Sequence, residues 1–186
     1  MPRGRIPELA KRDKVPYERW AKEGLIIPSD GSVIDPDTGK RSDRIGSVID
    51  YEQIKAKLRE AAEMFGLQEV CYDPWNANDF ATSLVNEGFR FVKIAQSISN
   101  LTFPMKKFQE LVLSGRLRHA GHEVLKWNID CLRTRTDSNG NIAPKKPDRA
   151  TDRKRIDGAA ALITAGARAF LPSMISSYEN GVREIG

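Results

Sequence analysis

Residues 68–95, QEVCYDPWNANDFATSLVNEGFRFVKIA, decide the fold. The apolar run Val70-Cys71-Tyr72 ends abruptly on an aspartate, Asp73, and Pro74, Trp75 and Asn76 follow at once. A second run, FRFVKIA at 89–95, alternates with the period of two that marks a strand. Between them NANDFATSLVNEG at 76–88 reads as a helix stopped by Gly88. Strands alternating with helices of this length imply an α/β domain with a partly parallel sheet. In such sheets functional groups gather at the carboxyl ends of the strands, where Asp73 stands. Asp73 therefore has two open readings, a cap on the following helix or a ligand in a cleft.

The pattern continues on both sides. Residues 50–66 form an amphipathic helix, with Asp50 as N-cap, apolar Ile54, Leu58, Ala61, Ala62 and Phe65, and Gly66 as stop. Downstream, a helix is expected over 103–115, a short edge segment over 116–121 and a helix over 122–132. Asn139-Gly140 marks a hairpin over 132–146, and 155–170 is a helix rich in small residues. Upstream, residues 1–30 are polar and marked by prolines, with one short helix in VPYERWAKEGLI at 15–26. GSVID occurs at 31–35 and again at 46–50, too few copies for a repeat architecture. The intervening DTGKRS lacks the first glycine and the Ser/Thr of a phosphate-binding loop, Ile34 and Arg41 standing there, so it is read as a turn. The expected organisation is an arm with an inserted loop over 1–48, the α/β domain over 49–170 and a tail over 171–186.

Bulk properties narrow the function classes. The chain of 186 residues, 40% of them hydrophobic, is long enough for one domain with a real core, and its net charge of +5 is a mild excess. Cys71 and Cys131 are isolated, which reads as free thiols in a reducing, cytoplasmic compartment. His119 and His122 read as ordinary polar loop residues rather than a zinc pair. No apolar run approaches membrane-spanning length, and the N-terminus has no secretory core.

A second carboxylate, Asp157, opens the last helix directly after KKPDRATDRKR at 145–155, six of whose eleven residues are basic. An aspartate in a first helical turn is favoured by the helix dipole, and a basic run is commonly a solvated loop. Taken together, Asp73 and Asp157 on separate elements suit Mg2+ or Mn2+, which take carboxylate oxygens. The basic stretch suits a phosphodiester backbone through Lys145, Lys146, Arg149, Arg153, Lys154 and Arg155.

YDPWNA, the LxxxGF-like segment after it, FPMKKFQELVLSGRLRHAGHEVLKWNID, TDSNGNIAPKK and RIDGAAALITA together resemble the nuclease domain of tailed-phage terminase large subunits. VPYERWAKEGLI and GSVIDYEQI are similar to the same family, so the resemblance covers roughly residues 14–170. It implies an RNase H-like fold, a mixed sheet flanked by helices, and a metal-dependent endonuclease that cuts concatemeric phage DNA, that is linked genome copies, during packaging. It places Asp73 and Asp157 at two of the family's acids. It also implies double-stranded DNA, the terminase small subunit and the portal protein as partners, in the host cytoplasm. The chain departs from the pattern in having no ATPase domain and no apolar-Asp-apolar first strand for the family's first acid. The expectation is a C-terminal portion or prophage remnant, incomplete at its N-terminal strands, short of one metal ligand and inactive alone. An unpaired sheet edge implies self-association. The alternative is a non-catalytic DNA-binding or packaging-assembly module retaining the fold; a different RNase H-like nuclease or resolvase is the third reading.

Overall fold

Capping chemistry sets the ends of the long helix α3 (Tyr51–Phe65): the Asp50 side chain accepts from the Glu52 and Gln53 amides, and Gly66 closes it at φ 58°. The structure, a computed structural model, describes residues 1–31, 48–75, 77–145 and 154–171. It divides into two compact units, Met1–Gln68 with His122–Val124, and Glu69–Gly121 with Leu125–Gly186.

The first unit holds α1 (Ile6–Asp13), α2 (Tyr17–Lys22) and α3. The polar reading of the N-terminus missed α1. Only Ile6 and Leu9 are apolar and buried in it, but spaced i, i+3 they share one face, and α1 packs on α2, where Tyr17 and Trp20 are buried edge to face at 5.8 Å. The chain start is stitched to Ser29, whose amide donates to the Met1 carbonyl at 2.7 Å and whose carbonyl accepts from the Arg3 amide at 2.9 Å. Of the repeated pentapeptide, Gly31 bridges Val48; residues 32–47 lie outside the described residues.

In the second unit β1 (Val70–Tyr72) and β2 (Phe91–Lys93) pair in parallel, Val70 opposite Phe91 and Tyr72 opposite Lys93, across α4 (Asn78–Val85). This is the strand–helix–strand unit expected from 68–95. Helix α5 (Ile98–Leu113) starts five residues before the expected 103. Phe103-Pro104 suggested a start because proline is tolerated in a first turn. Ser97 is the actual cap, accepting from the Asn100 amide at 3.2 Å, and Pro104 sits buried inside the helix. The expected edge segment at 116–121 is not a strand: its alternate positions, Arg116 and Arg118 among them, carry no apolar face to bury.

Next come α6 (Glu123–Cys131), the hairpin β3 (Arg133–Thr136) and β4 (Ile142–Lys145), and α7 (Asp157–Ala169). The hairpin is antiparallel, with Arg133 opposite Lys145 and Arg135 opposite Ala143. Thr102 ties α5 to β4, its Oγ1 accepting from the Ile142 amide at 3.2 Å. The core of this unit is Leu101, Met105, Ala143 and Ile163, with Ile94, Ile98, Leu132 and Ile142 packed around it.

Candidate functional site

Asp73 follows β1 directly and is exposed. Its Oδ1 accepts from the Trp75 amide at 3.2 Å, an Asx turn that, with Pro74, takes the chain out of the strand. The N-cap of α4 is Ala77, with no side-chain cap bond, so Asp73 does not cap that helix.

Asp157 is the first residue of α7 and is also exposed. Ile156 at the N-cap has no side chain able to accept an amide. The cap comes from α6 instead: buried Asn128 accepts from the Gly158 amide through Oδ1 at 2.5 Å. Position 158 has to be small, since a Cβ there would stand 2.9 Å from that oxygen. Asn128→Ala should therefore cost about 1–2 kcal/mol, the worth of a cap whose amide is left without a partner. Denaturant unfolding checks this, and a loss below a few tenths of a kcal/mol would deny Asn128 the capping role.

Helix α7 lies along β1 with its ends matched. At the far end Glu69, just before β1 and with its side chain 4% exposed, accepts from Arg168 Nε at 2.6 Å and Nη2 at 3.2 Å. At the near end Asp73 and Asp157 line one cleft of about 560 Å3. The α7 face on that cleft is Asp157, Ala160, Ala161 and Thr164, spaced i, i+3, i+4, i+7. The two alanines keep its floor low. Cys71, two residues before Asp73, also lines it. Its thiol is pushed up to about 11 by burial first and by the Glu69 carboxylate second, with Arg168 opposing, so it is protonated near neutral pH.

Of the predicted basic residues, Lys145 lines the cleft at the end of β4. Lys154 and Arg155 precede α7 and are not among the lining residues, and Lys146, Arg149 and Arg153 lie outside the described residues. The sequence reading passed over Arg135, which lines the cleft from β3. The available signal was the hairpin register: Arg133 faces Lys145, and with a period of two Arg135 shares that face.

Among the described residues, no group of three or more His, Cys, Asp or Glu side chains stands ready to hold a metal ion. The donor set of the cleft is thus two carboxylates on separate elements. It fits a hard divalent cation that keeps much of its water, and it does not form an enclosing cage. Among the same residues no helix is long and apolar enough to cross a membrane.

A family model described as "Terminase large subunit, endonuclease domain" matches residues 1–171. The chain is 28% identical over 170 residues to "Protein YmfN" of Escherichia coli, covering 91% of this chain and 34% of that protein. It is 25% identical over 169 residues to "Terminase, large subunit" of Enterobacteria phage HK97, covering 89% and 30%. The chain thus spans about a third of the length of these curated relatives. Among solved structures, the HK97 bacteriophage large terminase superposes with a TM-score of 0.73 at 24% identity, covering 90% of this chain and 32% of that one. The large terminase nuclease from thermophilic phage G20c does so with a TM-score of 0.52 at 20% identity, covering 74% and 73%. The fold is the mixed α/β, RNase H-like fold of those nucleases.

Proposed function

This chain belongs to the terminase large subunit endonuclease-domain family, and from that premise we propose that it is the portion of a DNA-packaging endonuclease that carries two of the metal-binding acids, Asp73 and Asp157. The observation that supports this is the placing of both aspartates, from β1 and α7, in one cleft. In the whole protein the reaction is metal-dependent cutting of concatemeric double-stranded DNA in the host cytoplasm, with the small subunit and the portal protein as partners.

Asp73 and Asp157 would hold Mg2+ or Mn2+ by one carboxylate each. When bound, such an ion neutralises charge on a phosphate and lowers the pKa of a coordinated water. The chain's own contribution is position. The Asx turn fixes Asp73, the cap from Asn128 fixes the first turn of α7, and the Glu69–Arg168 pair fixes the register of that helix on β1. Two carboxylates make a weak Mg2+ site, because that ion gives up its waters reluctantly. The chain alone should therefore bind Mn2+ better than Mg2+ and cleave little or no plasmid. A Mn2+ titration followed by the electron-spin resonance of the free ion, with plasmid cleavage in parallel, checks both; no uptake of Mn2+ would remove the metal-site reading.

The two-carboxylate donor set also favours a second reading, a DNA-binding or packaging-assembly module that retains the fold without catalysis. DNA binding indifferent to Mn2+ would be its mark. In either case the basic stretch should carry affinity. Replacing Lys145, Lys146, Arg149 and Arg153 together by glutamine should weaken binding to all DNA sequences alike. The salt dependence should become shallower by roughly three to four in log–log slope, about one released counterion per lost contact. Unchanged affinity and slope would leave the stretch a solvated surface.

A further inference from the structure

Asp73 and Asp157 share their cleft with two cations, Arg135 and Lys145. Among the described residues neither cation is ion-paired with either carboxylate; the contact made by the Arg135 guanidinium is to a backbone carbonyl. Opposite charges that face one cavity without neutralising each other suit a ligand that itself carries both signs. A plain phosphate-binding groove gains nothing from two carboxylates, which repel an anion. A plain cation site gains nothing from an arginine, which repels the ion. A phosphodiester together with a divalent cation matches both walls.

Arg135 is the better-prepared of the two cations. Its Nη2 donates to the Gln96 carbonyl at 3.3 Å. Gln96 is itself held by its Nε2, which donates to the Ile94 carbonyl and to buried Thr164 Oγ1, each at 3.2 Å. Thr164 stands two turns along α7 from Asp157, on the same face. The arginine is thus tied through Gln96 to the helix that carries one of the acids. The bond to Gln96 uses one of the five donors of the guanidinium fork, whose planar shape matches a phosphate.

We propose that Arg135 is a phosphate-binding residue of this cleft, holding a non-bridging oxygen of the DNA backbone opposite the divalent ion held by Asp73 and Asp157. The proposal rests on the metal-site reading above and adds the group that receives the anion. Glutamine at 135 removes the charge and retains a donor for the Gln96 carbonyl; lysine retains the charge and loses the fork.

The test is fluorescence anisotropy of a short labelled DNA duplex with the full chain, with and without Mn2+ and over a range of KCl concentrations. Arg135→Gln should weaken binding in Mn2+ by about five- to tenfold, for all sequences alike, and lower the log–log salt slope by about one. Arg135→Lys should recover the slope and part of the affinity. Mn2+ uptake in the absence of DNA should match that of the unaltered chain for both variants. Unchanged affinity and slope in Arg135→Gln would overturn the proposal. So would loss of Mn2+ uptake without DNA, since Arg135 would then act by shaping the metal site. Should the unaltered chain itself take up no Mn2+, the metal-site reading fails separately. The slope measured without metal then decides Arg135: a decrease of about one in Arg135→Gln supports the phosphate contact, and no decrease overturns it.

Discussion

Asp73→Asn and Asp157→Asn should each lower Mn2+ binding by at least about a hundredfold, to the limit of detection, while leaving the fold intact. Even partners outside the coordination shell cost up to about a hundredfold when removed, and a carboxylate ligand contributes more. Both side chains are exposed, so neither replacement opens a cavity. Asparagine at 73 retains an acceptor for the Trp75 amide, the hydrogen bond that the aspartate makes among the described residues. At 157 the cap of α7 comes from Asn128, so the exchange forgoes only the favourable meeting of a carboxylate with the helix N-terminus, up to about 1 kcal/mol. Mn2+ titration beside circular dichroism measures the two effects separately. Either variant binding Mn2+ like the unaltered chain would remove that aspartate from the site.

The largest loss of stability should come from Ile163→Ala. Ile163 is 1% exposed and belongs to the cluster of Leu101, Met105 and Ala143 that joins α5, β4 and α7. Truncating a fully buried isoleucine removes its transfer free energy and leaves a cavity, together about 2–5 kcal/mol. A domain of this kind has roughly 5–15 kcal/mol in all, so the loss is a large fraction. The urea midpoint should fall at an unchanged m-value. Ala161→Ser on the exposed side of the same helix should stay within about 0.5 kcal/mol. A loss below about 1 kcal/mol at Ile163 would mean that α7 is not held by this core.

Elements whose signals lie within a few residues were legible from the chain alone. Asp50 and Gly66 bracket α3, Asn139-Gly140 turns the hairpin, and the run from Val70 to Lys93 contains the strand–helix–strand unit. Elements that depend on a partner were misread. Helix α1 has two apolar anchors and acquires its burial by packing on α2. The start of α5 was misplaced because Pro104 resembles a first-turn residue, whereas Ser97 caps the helix and the added turn leads into the buried residues Leu101, Met105 and Phe108. Arg135 was overlooked because a polar hairpin arm gives no sign of what its face looks upon.

The candidate site divides in the same way. The sequence by itself determined which carboxylates stand at informative places: Asp73 at a strand end and Asp157 in a first helical turn, each read from its near neighbours. It also carried enough of the family's motifs to indicate the RNase H-like nuclease fold. Only the tertiary structure decided that the two acids line one cleft, that the half-buried, protonated thiol of Cys71 lines it beside them, and that Arg135 and Lys145 form the cationic wall. The physical reason is that turns, caps and strand periods are set by bonds between near neighbours, whereas the cleft exists because α7 is docked on β1. The position of α7 depends on Glu69 meeting Arg168 beside β1, Asn128 of α6 meeting Gly158 and Ile163 meeting Leu101 of α5, contacts between residues far apart in the chain whose pairing no local pattern encodes.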